Sequence, residues 1–304
     1  MSVVIYEVGP RDGLQNEPTL VPLEAKIAFV DALSNAGLSI IEVGAFVSPA
    51  RVPAMADSAE VFAGITRRQG TRYAALVPNL VGLERAVNAK ADFVAVFAAA
   101  SEMFSQRNIN HTIAESLDIY TSVVATAGTA GLQSRAYLST AFGCPFEGRV
   151  PIPRVVQLTQ RLLDLGAYEV AISDTIGVAH PEQVRRVLDA VLATVPADRL
   201  AVHFHDTRGM GVANVAVALQ MGIRTIDSSA GGLGGCPYAP GATGNIATED
   251  LLYLLSGLGS DTGVDAARVA DASLAIEPVL GHSLPSRALQ AEAAARRRAQ
   301  PAQA

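Results

Sequence analysis

Cysteine is scarce in this chain, with only Cys144 and Cys236 among 304 residues. The two form no CxxC pair and no zinc-ribbon spacing, which excludes a disulfide-stapled secreted fold and a closed structural zinc site. Basic charge is short as well. Lys and Arg total 23 against 29 Asp and Glu, a formal charge of −6, so the chain lacks the excess that a nucleic-acid surface requires. No apolar run approaches the ~18 residues of a membrane helix. The opening, MSVVIYEVGPRDG, has no basic stretch leading into a long apolar one, so no signal peptide is expected. Nucleotide and hydrolase signatures are missing too, including the P-loop, the GxSxG elbow and the kinase set. Gly209-Met210-Gly211 follows a late strand and has Asn214 where a third glycine would stand, so it reads as tight loop geometry. These absences leave a cytoplasmic protein that binds neither nucleic acid nor membrane.

Apolar residues, by contrast, make up half the chain, enough for a substantial core. Short β-rich runs at 3–8, 39–44, 72–76, 93–97, 135–140, 169–173, 200–205 and 225–228 alternate with amphipathic segments. Those at 23–36, 113–127, 153–165, 181–194 and 211–221 predict helices. Several meet glycine at or near their ends (Gly37, Gly128, Gly166, Gly222), a usual helix stop. Eight strand–helix units in about 240 residues predict an α/β fold, a (β/α)8 TIM barrel with additional C-terminal helices. The expected division is a catalytic barrel over 1–258 and a helical extension over 259–304. Helices are expected at 248–258, 265–277 and 286–298, and the tail AEAAARRRAQPAQA is read as a solvated, frayed end.

A barrel gathers its chemistry at the C-terminal ends of its strands. There the seventh strand carries HFHDT. Side chains two apart on a strand point the same way, so His203 and His205 can share one metal ion. Asp12, in the loop after the first strand, is the candidate carboxylate ligand, and Asn245 the candidate amide ligand. The competing readings are a turn residue before Gly13 for Asp12 and a plain helix N-cap for Asn245. A mixed nitrogen and oxygen set suits Mg²⁺ or Mn²⁺. Arg11 beside Asp12 would stabilise charge on a substrate oxygen, a contribution of roughly 3–4 kcal/mol; its competing reading is a structural salt bridge to Glu42. Cys236 sits in the glycine-rich loop GGLGGCPYAPG, and a free thiol with a pKa of about 8.5 is better placed to donate a proton than to attack. Cys144 reads as an ordinary buried residue. Gln15, Asn16, Asp174, Thr175, Ser101, Glu102, Arg107 and Asn108 lie on loops at the same end.

The motifs EVGPRDGLQNE, IEVGAFVSP, DTIGV, HFHDT and GLGGCPYAPGATGNIATED occur in order. With them, the chain resembles the 3-hydroxy-3-methylglutaryl-CoA lyase family, within the metal-dependent lyase and Claisen-condensation TIM-barrel superfamily, from about Val4 to about Leu258. The resemblance implies a divalent cation on Asp12, His203, His205 and Asn245. It implies Arg11 on the thioester carbonyl, Glu42 behind the first loop, Cys236 handling a proton, and Asp174 close to the substrate; Gln15, on the first loop, is a further candidate substrate contact. The reaction implied is retro-Claisen cleavage of an acyl-CoA in leucine breakdown. The alternative is a Claisen-condensing acyltransferase of the 2-isopropylmalate or homocitrate synthase kind, or an aldolase. A scaffold without turnover would have no use for Arg11 and Cys236. Three departures fall near the expected acyl pocket: Arg208 where the family has an aromatic residue, SAGGLGG at 229–235 for SVAGLGG, and Val43-Gly44-Ala45 for a Thr-Thr-Ser-like stretch. They suggest a larger 3-alkyl group, or an anionic substituent paired with Arg208. A homo-oligomer, dimer or tetramer, is expected.

Overall fold

The computed structural model describes residues 2–235 and 244–299. Eight parallel strands close into a barrel in sequence order. They are β1 (Val4–Glu7), β2 (Ile40–Ala45), β3 (Arg72–Leu76), β4 (Phe93–Ala99), β5 (Gln133–Ser139), β6 (Val170–Asp174), β7 (Leu200–Phe204) and β8 (Thr225–Ser228). Closure is made by β1 against β8, in the register Val4↔Thr225 to Glu7↔Ser228. The expected barrel is the observed one, with strand ends shifted by one or two residues.

The helices between strands are α1 (Leu23–Asn35), α2 (Ser58–Gly64), α3 (Leu80–Asn88), α4 (Glu102–Ile109), α5 (Ile113–Thr129), α6 (Ile152–Asp164), α7 (Pro181–Leu192) and α8 (Gly211–Gln220). Their starts follow from local chemistry. Asn79 caps α3, Ser101 caps α4, and Thr112 with Glu115 forms a capping box on α5. One helix stop differs from expectation. Gly128 lies inside α5, and Gly131 takes the positive φ (77°) that ends the turn.

A continuous apolar core fills the space between strands and helices. A second, separate apolar cluster is formed by Tyr6, Val8, Ile40, Ala74 and Phe93. On β2 the pairing with β3 slips between Glu42 and Gly44. Such a bulge re-aims side chains next to a site. Gly44 is required there, because a Cβ would lie 2.5 Å from Ser58 Oγ.

After the barrel come α9 (Thr248–Gly257), α10 (Ala266–Leu280) and α11 (Arg287–Ala299). α10 packs on α1 and on the turn Ala230–Gly232, and α11 packs on α9. Leu284, fully buried, fills the space above Gly231, whose carbonyl accepts the Ser286 N–H at 3.1 Å.

Candidate active site and metal centre

The chain leaves β1 through a single π-type turn, Gly9–Gly13, in which the N–H groups of Arg11, Asp12 and Gly13 all meet the Val8 carbonyl. This turn sets Arg11 and Asp12 over the mouth of the barrel. Arg11 donates to Asp12 Oδ1 at 2.6 Å and to Glu42 Oε2 at 3.0 Å. The Tyr137 hydroxyl donates to the same Glu42 oxygen at 2.7 Å. Arg11 is therefore both in the salt bridge to Glu42 and at the site, so the two readings of it are compatible. Its Nε is buried without a partner among the described residues.

His203, on β7, and His205, just beyond it, project to the same side. Their Nε2 atoms lie 3.2 Å apart, and His203 Nε2 is 4.0 Å from Asp12 Oδ2. One ligand atom from each of Asp12, His203 and His205 falls within 4.8 Å of the other two. Asn245 arrives from a different part of the chain. Residues on either side of it run beside the end of β7, with Asp206 N–H on the Gly244 carbonyl and Ile246 N–H on the Phe204 carbonyl. Its amide donates to Asp12 Oδ2 at 2.8 Å. The helix-cap alternative for Asn245 is not realised, since the N-cap of α9 is Ala247.

Charge follows from this packing. Burial pushes the Asp12 carboxyl up, but Arg11, then His203, His205 and Asn245 outweigh it and bring it to about 2. Burial, then the neighbouring His203, lowers His205 to about 3, so its imidazole is neutral at pH 7. The donor set fits a divalent cation. It offers one ionised carboxylate, two imidazole nitrogens and an amide whose oxygen comes to the same place on a half-turn. Two facing Nε2 atoms can share at most one proton, and the buried His205 Nδ1 has no partner among the described residues. A cation between the rings satisfies both lone pairs.

The cluster opens into a cavity of about 830 Å³. Arg11, Asp12, Gln15, Asn16, Thr175, His203 and His205 line it, as expected from the sequence. Asn108 lines it too, but the other residues singled out after β4 do not. Ser101 caps α4, Glu102 accepts the Ile113 N–H, and Arg107 lies over the Phe146 ring. Glu42, fully buried, holds Arg11 from beneath.

Two candidates are not among the cavity-lining residues. Asp174 has its two carboxylate oxygens on the N–H groups of Val178 and Ala179 at 3.0 and 2.9 Å. Burial raises it to about 6 against those bonds. The other is Arg208, whose Nη1 donates to the carbonyls of Ile176 and Gly177 at 3.1 and 2.8 Å. Cys144 is buried as read, 2.9 Å from Ser101 Oγ. Cys236 lies outside the described residues; Gly235, just before it, lines the cavity.

Sequence reasoning missed Tyr137, Arg135 and Asp227. Arg135 sits within β5 and is completely buried, with Nη1 and Nη2 on the two oxygens of Asp227 at 3.0 and 2.6 Å. A lone arginine inside SRAYLS was the available signal.

The family model HMGL-like matches residues 2–276. A Pseudomonas aeruginosa protein named 3-hydroxy-3-isohexenylglutaryl-CoA/hydroxy-methylglutaryl-CoA lyase is 53% identical over 289 residues, 95% of this chain and 96% of its own. A hydroxymethylglutaryl-CoA lyase of Bacillus subtilis is 51% identical over 288 residues, 95% and 96% of the two chains. The crystal structure of hydroxymethylglutaryl-CoA lyase from Pseudomonas aeruginosa superimposes with a TM-score of 0.95 at 52% identity, covering 97% of this chain and 98% of that one. On the matched span, the closed barrel and the site at its mouth, this chain belongs to the HMGL-like family.

Proposed function

We propose that the chain catalyses the cation-dependent cleavage of 3-hydroxy-3-methylglutaryl-CoA to acetyl-CoA and acetoacetate, a step of leucine breakdown, in the cytoplasm. The observation that carries this reading is the convergence of Asp12, His203 and His205 on one point, with Arg11 bonded to Asp12, at the wall of a large cavity.

Mg²⁺ or Mn²⁺ on Asp12, His203, His205 and Asn245 would supply the positive charge that acidifies the tertiary hydroxyl of the substrate. Arg11 donates to the thioester carbonyl oxygen and stabilises the enolate that develops there. The electron pair of the C2–C3 bond moves onto C2, and the hydroxyl carbon becomes the ketone of acetoacetate. The proton lost from the hydroxyl is matched by the one gained at C2. Glu42 and Tyr137 keep the guanidinium aimed, since Glu42 Oε2 receives both. Asp12, ionised at every physiological pH, is the catalytic carboxylate that balances Arg11. Cys236, one residue beyond the cavity rim at Gly235, is assigned the proton delivered to C2.

Incubating the protein with the CoA ester and Mg²⁺ is expected to release acetoacetate, and a chelator to stop it. No acetoacetate with either Mg²⁺ or Mn²⁺ would overturn the reading.

A wider acyl range is favoured by one feature. Phe97, Phe104, Ile119 and Tyr120 give the cavity an apolar wall. That wall supports a 3-alkyl group larger than methyl, as does the isohexenyl substrate in the name of the Pseudomonas relative. An anionic substituent has less support, because Arg208 is not among the cavity-lining residues and its Nη1 is engaged by two backbone carbonyls.

A further inference from the structure

We infer that the buried Arg135–Asp227 pair is the positioning device that fixes the tautomer of His203 and presents its Nε2 to the cation; the inference rests on the metal-dependent reading above. Asp227, on β8, is directly across from His203 on β7 in the strand register. Its Oδ2 lies 3.2 Å from His203 Nδ1. That same carboxylate is gripped in fork geometry by Arg135 from β5, and Arg135 Nε in turn donates to Glu169 Oε1 at 2.8 Å. Four side chains from four neighbouring stretches of the barrel thus form one line, Glu169–Arg135–Asp227–His203.

The line leaves little freedom. Arg135 and Asp227 are at most 1% exposed, and the guanidinium lies 3.9 Å from the centroid of the Tyr6 ring and 4.9 Å from that of Tyr137. A planar fork held on a carboxylate fixes the direction of its lone pairs as well as its charge. The Arg135 fork, one N–H on each oxygen, marks Asp227 as a carboxylate and not a carboxylic acid. An ionised carboxylate only accepts, so His203 must carry its proton on Nδ1. Its Nε2 is then a lone pair, aimed at His205 and Asp12. A carboxylate behind an imidazole also makes the ring a stronger donor to a metal, and loss of such a partner lowers metal affinity about 10- to 100-fold. Asp227 and Arg135 act through His203 and are positioning residues, not catalytic ones.

The test uses the full-length protein freed of metal. Nitrogen-15 NMR of its imidazoles is expected to place the His203 proton on Nδ1; finding it on Nε2 would overturn the inference without any variant. Mn²⁺ titration followed by electron paramagnetic resonance is expected to show binding weakened about 10- to 100-fold in Asp227→Asn. Arg135→Lys, which keeps the charge but loses the fork, is expected to fall between that variant and wild type. Far-ultraviolet circular dichroism of each variant without metal reports whether the barrel is intact. Mn²⁺ affinity within twofold of wild type in a folded Asp227→Asn would overturn the inference. Failure of wild type to bind Mn²⁺ at all would remove the metal reading itself, a distinguishable result.

Discussion

At the scale of single residues, His205 offers the sharpest test. Its ring is buried, neutral at pH 7 and unpartnered at Nδ1, so within the described structure it contributes no ion pair. What it does contribute is an Nε2 atom 3.2 Å from that of His203. His205→Ala is therefore expected to abolish metal retention and activity together, each by more than about 100-fold, since a direct ligand matters more than its supporting partners. Metal content by atomic absorption and acetoacetate release by assay check it. A variant that retains full metal would remove His205 from the ligand set. This pair was legible in the sequence because spacing along a strand decides which side chains share a face. The bonding of Asp174 was not legible, for the opposite reason. Its position at a strand end was right, but its carboxylate is consumed by two backbone N–H groups of its own loop, which no spacing rule reveals. The Arg135–Asp227 pair was illegible because its partners meet only through the closed interior of the barrel.

Between elements, the seam where β1 meets β8 depends on Glu7. One of its oxygens accepts the N–H groups of Gly9 and Ala230, both at 2.8 Å, and the other accepts the Thr248 hydroxyl at 2.6 Å. It thereby joins the end of β1, the turn after β8 and the start of α9. Gly9 has no room for a side chain, because a Cβ would lie 2.6 Å from that carboxylate. Burial raises Glu7 to about 7 even against these bonds, and nearby Glu249, itself raised to about 7 by burial, adds to the effect. The sign follows from proton uptake. The folded chain holds the Glu7 proton up to about pH 7 and the unfolded chain only to about 4.5, so the stability linked to this group is present below pH 4.5 and lost as pH rises through 7. The loss is roughly 3 kcal/mol. Glu7→Gln keeps the acceptor for both N–H groups and has no proton to lose. Urea unfolding at pH 5 and pH 7 is expected to show wild type losing stability relative to Glu7→Gln over this interval. Parallel pH dependence in the two proteins would show that Glu7 titrates normally. Helix and strand order were legible because the periods of apolar residues are long and regular. The seam was not, because Glu7 in IYEVG looks like any polar residue at a strand end.

Over the whole molecule, the candidate ligands come from the turn after β1, from β7 and its end, and from the segment that follows the glycine-rich loop. A cation there ties residue 12 to residue 245 across nearly the full length of the barrel. The C-terminal segment bears on the same region, since Leu284 packs on Gly231 and Asn245 also donates to the Leu233 carbonyl. Unfolding must separate all these groups, so the unfolded chain cannot hold the ion in the same way. A ligand bound only by the folded state adds about 2.7 kcal/mol at 100 times its dissociation constant. Calorimetry is expected to show a melting temperature several degrees lower with a chelator than with saturating Mn²⁺. His205→Ala is expected to melt at one temperature under both conditions, which separates specific binding from a general effect of salt. Equal melting temperatures for the wild-type protein with and without Mn²⁺ would mean that Asp12, His203, His205 and Asn245 come together for some purpose other than gripping an ion.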